Sequence, residues 1–546
     1  MTRVAAAQLA AGTDVAENLD ACLRMIDAAA AANAELVVLP EFCNHLSWYT
    51  SRAHAYRMAC RPGDSFLTAI AERAARHRMY VKIGVTLARA DGRTTGTGVL
   101  FGPDGALLGQ SDKQILMGAE NDHLDPGETD SPVIDTPLGR IGMYACMEGV
   151  TCEVARSLAV RGAQLLLNSL NSFATDEASL HIPVRAAENK VWVVAANKVG
   201  PLLPAQQLPA IAARLGVPPD RLHGAGESQI VAPDGATVAK APATGESLVF
   251  ADIDIDLADD KRRPDGTDIL AVRRPRLYAP LLAEPSLRQA PAGMDTLQVA
   301  AVLPDLDVIA ETASAGPELL VLPETATLSA AQVIAALQGT SAHAVLTVRV
   351  GDAQHGLLVN AGGIAGYQPQ LHRTHRHPWL TDTGSRVEVF ELPWGRLALV
   401  VGDDALFPET FRLAAIQDVD VVAVPHSPVE RWESRLGLPE RSAENRLNVV
   451  AAGLDPQGGL VAAVYALSPD FTLWTAWSGP FTGVISHPEI TTAPPGATRV
   501  HALVRPAQAV NRNVSKGTDL VAGRPRPALA ALIREPATLT TQPELP

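Results

Sequence analysis

The amino-acid sequence predicts an α/β protein built from two tandem copies of one layered plan, and three observations support this prediction. The first is length: 546 residues, of which 47% are hydrophobic and 19% charged, are too many for one compact core. The second is an alternation of short apolar runs with Ala-rich segments of helical period. The third is an internal repeat. Together they predict layers in which helices cover buried sheets.

The alternation is clearest in the first half of the chain. Apolar runs of strand length lie at 35–40, 81–85, 141–145, 164–168 and 191–197. Segments with helical period lie between several of these runs, at 17–33, 65–78 and 152–161. The order of these segments predicts strands and helices that alternate along the chain.

The repeat consists of three segments that recur in one order. Glu-Leu-Val-Val-Leu-Pro-Glu (35–41) recurs as Glu-Leu-Leu-Val-Leu-Pro-Glu (318–324), Arg-Ala-Ala-Glu-Asn (185–189) as Arg-Ser-Ala-Glu-Asn (441–445), and Gly-Thr-Asp (266–268) as Gly-Thr-Asp (517–519). We therefore predict domains at 1–280 and 296–534, joined by a Pro- and Ala-rich linker at 281–295 and followed by a flexible tail at 535–546.

Charge and composition limit the partners of this protein. A net charge of −14 and a pI near 5.5 provide no basic surface for nucleic acid or an anionic membrane. Asp14, Glu17 and Asp20 follow the N-terminal apolar residues too soon for a signal peptide, and no apolar run is long enough to span a bilayer. We predict a small-molecule partner and neither nucleic acid nor membrane binding.

The cysteines indicate a reducing compartment. There are five, all in the first third of the chain: Cys22, Cys43, Cys60, Cys146 and Cys152. Their odd number and spacing favour neither a disulfide framework nor a zinc site. We predict a cytoplasmic protein without a metal, in which Cys146 is a free thiol.

The candidate functional residues are Glu41, Lys113 and Cys146, each of which follows an apolar run. A thiol needs a base or a positive charge nearby before it can attack a carbon–nitrogen bond, and an oxyanion needs fixed donors. Glu41 suits the base. Lys113 and the backbone N–H of Met147, the residue after Cys146, suit the oxyanion. A thioester would form and be hydrolysed, with no organic cofactor or metal.

At these residues the chain resembles the nitrilase superfamily of carbon–nitrogen hydrolases, over nearly its whole length as two copies. The motifs are Leu-Pro-Glu (39–41), Lys113, Glu120 and Gly-Arg-Ile-Gly-Met-Tyr-Ala-Cys (139–146). The resemblance implies two tandem α-β-β-α sandwich domains packed as an internal pseudo-dimer. It also implies that Glu41, Lys113, Glu120 and Cys146 are catalytic, with Glu120 holding Lys113 or the water in position.

Each of these residues also has a structural interpretation, and Cys146, at the end of a strand, could be a small buried hydrophobic residue. Glu41 could cap a helix, Lys113 could be an exposed loop lysine, and Glu120 could belong to a solvated polar loop.

Asn168 and Asn171, which follow a strand, are candidate substrate residues together with Met147. The stretch 201–223 is either a lid over the acyl pocket or a surface excursion.

The second copy lacks the nucleophile. Gly402 aligns with Cys146, because both lie at the same distance before the arginine of the repeated Arg-x-Ala-Glu-Asn segment, and no cysteine occurs after Cys152. We assign the lysine position to Arg373, within a His-rich stretch at 372–377, and Glu324 matches Glu41. The histidine spacing fits no standard metal site. The second copy is therefore predicted to be inactive.

The predicted function is an amidase that cleaves a non-peptide amide or carbamoyl substrate to an acid and ammonia. A nitrilase acting on a small nitrile is the alternative within the same mechanism, although Met147 stands where nitrilases carry an aromatic residue after the cysteine. An acyltransferase or a non-catalytic scaffold is a further alternative. Further homo-oligomerisation is also compatible with the sequence.

Overall fold

The computed structural model describes residues 1–325 and 327–534. Two α-β-β-α sandwiches follow one another along the chain, as predicted, and each contains two six-stranded sheets. The tail predicted at 535–546 lies outside the described residues.

The first half contains fourteen strands among the described residues. They are β1 (Thr2–Gln8), β2 (Leu36–Val38), β3 (Tyr80–Ala88), β4 (Thr94–Phe101), β5 (Leu107–Asp112), β6 (Val133–Thr136), β7 (Gly139–Ala145), β8 (Leu165–Ser169), β9 (Trp192–Ala196), β10 (Val199–Pro201), β11 (His223–Ala225), β12 (Gln229–Val231), β13 (Thr237–Lys240) and β14 (Ser247–Ile253). The two large sheets have the orders β14-β1-β2-β3-β4-β5 and β13-β12-β9-β8-β7-β6. All five strands predicted for this half are confirmed.

The central strands of each sheet are parallel: β1, β2 and β3 in one sheet, and β7, β8 and β9 in the other. Apolar side chains of both sheets, such as Val38 and Leu167, meet between them. Because these strands are covered on both faces, they are continuous apolar runs, which is why the sequence reveals them.

Helices cover the outer faces of the two sheets. They are α1 (Val15–Ala31), α2 (Arg52–Met58), α3 (Ser65–His77), α4 (Glu120–His123), α5 (Met147–Val150), α6 (Glu153–Val160), α7 (Ile182–Ala187) and α8 (Leu208–Leu215). A π-helical turn at Glu177–His181 precedes α7, and 3₁₀ turns lie at Pro219–Leu222, Ile255–Asp259 and Pro275–Leu282. The three predicted helices are α1, α3 and α6, of which α1 and α3 begin at the capping carboxylates of Asp14 and Asp64.

The second half repeats this plan from residue 297. Its strands are β15 (Leu297–Val302), β16 (Leu319–Val321), β17 (His343–Val350), β18 (Ala353–Asn360), β19 (Gly363–Pro369), β20 (Val389–Leu392), β21 (Gly395–Leu399), β22 (Val421–Pro425), β23 (Asn448–Leu454), β24 (Leu460–Ala466), β25 (Glu489–Thr492), β26 (Arg499–Val504), β27 (Asn513–Ser515) and β28 (Thr518–Asp519). The sheet orders are β19-β18-β17-β16-β15-β26 and β20-β21-β22-β23-β24-β25.

The helices of the second half are α9 (Leu306–Ser314), α10 (Ala330–Ala336), α11 (Pro408–Ala415), α12 (Leu438–Asn445) and α13 (Arg526–Leu532). A π-helical turn at Glu433–Gly437 precedes α12, and 3₁₀ turns lie at Gly402–Leu406 and Pro506–Val510. No helix within 1–325 or 327–534 combines the length and the apolar character needed to cross a membrane.

The two halves pack about a pseudo-two-fold axis through α6, α7, α11 and α12. Buried ion pairs occur in reciprocal sets, as expected when two related surfaces face each other. They are Arg156–Glu409 (3.1 Å) with Glu153–Arg412 (2.8 Å), and Arg185–Glu444 (2.8 Å) with Glu188–Arg441 (2.5 Å). The internal pseudo-dimer expected from the family resemblance is therefore the observed arrangement.

Each half also extends a C-terminal segment onto the other half. Leu277 and Tyr278 of the first half pack in the core around α11, whereas Ala528 of α13 packs in the core around α6. Thr518 donates to the Leu116 carbonyl at 2.6 Å, so a segment of the second half lies against the loop that follows Lys113.

Candidate active site

Glu41 lies just beyond the carboxyl end of β2, between the two sheets. The side chain is 2% exposed, and Oε1 lies 3.0 Å from Lys113 Nζ, while Oε2 has no hydrogen-bond partner among the described residues. Burial raises the pKa of Glu41 to about 7, although the charge of Lys113 opposes the increase. Near neutral pH this carboxylate can therefore both accept and return a proton.

Lys113 follows β5, and its ammonium group lies between two carboxylates. Nζ is 3.0 Å from Glu41 and 2.9 Å from Glu120 Oε2, and the side chain is fully buried. Burial alone would lower the pKa of Lys113, but Glu120 and Glu41 outweigh it and raise that pKa well above its usual value. Lys113 is therefore a fixed positive charge rather than an exposed loop lysine.

Glu120 begins α4 and is 7% exposed. Besides contacting Lys113, it accepts the Met117 N–H through Oε2 at 3.0 Å. The structure thus brings Glu120 into the cluster, where it anchors Lys113 to the loop. The interpretation of Glu120 as part of a solvated polar loop is wrong.

Cys146 stands at the turn between β7 and α5. Its backbone has φ +47°, a left-handed conformation that is strained for a residue with a side chain, and its N–H donates to Ser169 O at 3.0 Å. Burial raises the pKa of the thiol well above its usual value, while Lys113 acts to lower it and Glu41 to raise it. Both predicted partners therefore act electrostatically on Cys146.

The three residues predicted to contact substrate have different surroundings. Met147 begins α5, where a backbone N–H has no acceptor within the helix, but its side chain packs in an apolar cluster with residues of the second half. Asn168 accepts the Cys146 N–H at 3.2 Å and lies behind the nucleophile turn. Asn171 lines a large cavity and donates to Ser47 at 3.0 Å. Of the three side chains, Asn171 is the one that lines this cavity.

Glu148 is a functional candidate that sequence reasoning missed. It is fully buried and accepts the N–H groups of Gln114 and Ala145, both at 2.7 Å, so one carboxylate ties the lysine loop to the cysteine turn. Burial raises its pKa to about 7. Its place two residues after the cysteine was a usable signal, but the pattern carries no information about its backbone partners.

A cavity of about 530 Å³ opens beside this cluster and has Glu120 in its wall. The cavity reaches the cluster at Glu120, which contacts Lys113, whereas Cys146, 4% exposed, is not one of the residues that line the wall. Much of the wall is apolar, and one side comes from 201–223, which forms α8 and the 3₁₀ turn Pro219–Leu222. The position of this stretch favours the lid interpretation over a surface excursion.

The corresponding site of the second half differs in its side chains and in its available space. Gly402 has φ +56°, like Cys146, but a Cβ built there would lie 2.6 Å from Glu324 Oε1. Gln370, not Arg373, takes the place of Lys113, because its N–H bonds to Gln354 O just as the Lys113 N–H bonds to Gly96 O.

The assignment of Arg373 to the lysine position is therefore wrong. Arg373 is exposed and donates to Pro378 O at 2.8 Å. Arg376 instead pairs with Glu324 at 2.6 Å, and His372 stacks on Phe407. Within the His-rich stretch, Arg376 and His377 therefore both contact Glu324, whereas His372 lies against Phe407.

Comparison with known proteins identifies the family. The family described as Carbon-nitrogen hydrolase matches residues 3–263. The omega-amidase NIT2 of Bos taurus is 32% identical over 267 residues, which cover 46% of this chain and 88% of that protein. The nitrilase of Pyrococcus abyssi is 28% identical over 265 residues, which cover 48% of this chain and 93% of that protein. The solved structure of an amidase from Nesterenkonia sp. is 23% identical in sequence and has a TM-score of 0.40. The match covers 48% of this chain and 93% of the amidase chain.

The chain belongs to the carbon-nitrogen hydrolase family, the nitrilase superfamily. It is accordingly a cysteine-dependent hydrolase that acts on carbon–nitrogen bonds other than peptide bonds.

Proposed function

We propose that the first half is an amidase that converts a non-peptide amide or carbamoyl compound to an acid and ammonia through a thioester on Cys146. The observation that carries the proposal is the buried set of Glu41, Lys113 and Cys146, in which one carboxylate has a pKa of about 7 beside a fixed ammonium group. The relatives named omega-amidase support the same class of substrate.

In the acylation step Glu41 acts first as a base and then as an acid. Glu41 takes the proton from the Cys146 thiol, and the sulfur attacks the amide carbon. The oxyanion is held by Lys113 and the backbone N–H of Met147. Glu41 then returns its proton to the nitrogen as the carbon–nitrogen bond breaks, so ammonia leaves and a thioester remains.

The deacylation step uses the same groups in the same roles, with water in place of the thiol as the nucleophile. A water molecule loses its proton to Glu41 and attacks the thioester carbon, with the oxyanion again held by Lys113. The carbon–sulfur bond breaks, the acid leaves, and the proton on Glu41 returns to the sulfur of Cys146. No other proton donor or acceptor is required.

We also propose that the second half, 296–534, is catalytically inactive, with 281–295 as the linker. Gly402 provides no sulfur, and the carboxylate of Glu324 occupies the space that a cysteine side chain would need. The unpaired cysteines suit a reducing cytoplasm.

The test is ammonia release from aliphatic amides, ω-amides of dicarboxylates, carbamoyl compounds and nitriles. Cys146→Ala is expected to abolish hydrolysis, whereas Cys152→Ala, which removes an equally buried thiol six residues away, should retain it. Intact mass of unaltered protein mixed with substrate should show an acyl adduct that is missing from Cys146→Ala. Hydrolysis that persists in Cys146→Ala, or that is confined to nitriles, would refute the proposal.

A further inference from the structure

The second half has a long excursion that its counterpart in the first half lacks. Strands β24 and β25 are joined by residues 467–488, whereas the equivalent strands β12 and β13 are joined by residues 232–236. We call residues 469–487 the crossing segment, because they leave their own half and lie on the first half. A segment of this length needs anchors if it is to keep one position.

Hydrogen bonds fix the crossing segment to the first half. The buried carboxylate of Asp176 accepts the N–H groups of Ile485 (3.1 Å) and Ser486 (2.9 Å). The Thr175 N–H donates to Gly483 O at 3.0 Å, so two consecutive residues of the first half hold this segment. The segment is therefore positioned by the half that carries Cys146.

The tip of the crossing segment forms part of the cavity wall beside the active site. Leu473 packs against Leu208 and Leu222 of the 201–223 stretch, and Leu473 and Trp474 both line the cavity that reaches Glu120. Trp474 is 51% exposed. An indole in the wall of a cavity, with much of its surface uncovered, is available to contact an apolar ligand.

The size and lining of the cavity indicate what it accommodates. About 530 Å³ lies within the range of roughly 300–1,000 Å³ that is typical of sites for drug-sized ligands. Apolar side chains from both halves, including Met117, Phe173, Leu203 and Leu473, face this space. A short amide would leave most of the space empty, whereas a long alkyl or aryl group would fill it.

We propose that the inactive half selects the substrate of the active half: Trp474 and Leu473 bury the alkyl or aryl body of an amide whose carbonyl group reacts at Cys146. This inference rests on the proposed amidase function and gives it a substrate class, amides with a long apolar group. Trp474 is then a specificity residue that contacts substrate without taking part in proton transfer.

The experiment compares kcat/KM for propionamide and 4-phenylbutanamide in the full chain. Trp474→Ala is expected to lower kcat/KM for 4-phenylbutanamide on the order of tenfold, mainly through KM, because apolar contact equal to roughly two methylene groups is lost. The value for propionamide should change less than about twofold, since its short chain does not reach the indole. Trp474→Phe should recover most of the loss. The control is Trp379→Ala, which removes an indole stacked on Arg349 elsewhere in the second half and should affect neither substrate.

An equal loss for both amides, or no loss for 4-phenylbutanamide, would overturn the inference. Binding of 4-phenylbutanamide to Cys146→Ala protein, measured by calorimetry with and without Trp474→Ala, separates it from the proposed function. Weaker binding in the double variant supports the contact between Trp474 and the apolar group of the amide. If binding is weaker in this way but no amide is hydrolysed, only the amidase proposal is overturned. Equal binding in both proteins would overturn the inference even if amides are hydrolysed.

Discussion

Substitution of the buried Glu409 would measure how much the contact between the two halves contributes to the free energy of unfolding. Glu409 lies in α11 of the second half, is 1% exposed, and accepts from Arg156 at 3.1 Å and from Arg273 at 2.9 Å, both in the first half. Glu409→Gln keeps the size of the side chain but removes the charge that the two arginines share. We expect this change to lower the free energy of unfolding by about 3 kcal/mol at pH 7.

The magnitude follows from the pKa of Glu409. Burial alone would raise this pKa, but Arg156 and Arg273 outweigh it and lower the pKa from 4.5 to about 2. That difference corresponds to about 3 kcal/mol of stability. Because the pKa is lowered on folding, the stabilisation is fully present above pH 4.5 and is lost as the pH falls through 2. A glutamine has no such dependence.

The assay is urea unfolding followed by circular dichroism at pH 7 and pH 3.5. The difference between the unaltered protein and Glu409→Gln should narrow to about 2 kcal/mol at pH 3.5. Glu311→Gln is the control, because its pair with Arg499 lies at the surface and contributes less than about 1 kcal/mol. If Glu409→Gln costs no more than this control, or if its cost is the same at both pH values, the reasoning is wrong.

Two further predictions concern the catalytic cluster and its inactive counterpart. Glu41 must be ionised to accept a proton, and its pKa is about 7, so kcat/KM should rise as the pH increases through about 7. The measurement is a profile of kcat/KM from pH 4 to 9. A rise centred near pH 4.5 would contradict this role of Glu41. The double variant Gly402→Cys with Cys146→Ala should release no ammonia from amides. The Cβ of a cysteine at position 402 would lie 2.6 Å from Glu324 Oε1, and Gln370, at the lysine position, supplies no charge. Ammonia release above that of Cys146→Ala alone would contradict this prediction.

Two members of the catalytic cluster were accessible from sequence because they follow buried strands, whereas Lys113 follows β5, which is partly exposed. Glu41 and Cys146 come directly after runs that are covered on both faces, and such runs are recognisable by composition alone. The loop position of Lys113 is set by two backbone bonds, from its N–H to Gly96 O and from the Gly127 N–H to its carbonyl, which the sequence does not display. For the same reason the lysine position of the second half was assigned to Arg373 instead of Gln370: loop lengths differ between the halves, and only hydrogen-bond partners show the equivalence.

The cavity wall could not be predicted from sequence. Trp474 and Asn171 lie about 300 residues apart in the chain, and they line one cavity because the halves pack about a pseudo-two-fold axis. The direction in which the Asn168 side chain points likewise depends on the neighbouring turn, because its amide oxygen accepts a hydrogen bond from the Cys146 backbone N–H. Local pattern predicts strands and motifs, whereas side-chain direction and contacts between halves depend on tertiary packing.

The fusion of two halves in one chain changes what substitution can do. In a dimer of identical subunits, every change appears on both sides of the axis, so a lost thiol would disable both sites. Here Gly402 occurs once and Cys146 occurs once, and the exposed indole of Trp474 is present in a fixed one-to-one ratio with the thiol. Because the partner surface is covalently attached, dilution does not remove it. A monomeric chain therefore carries a complete cavity wall at any protein concentration.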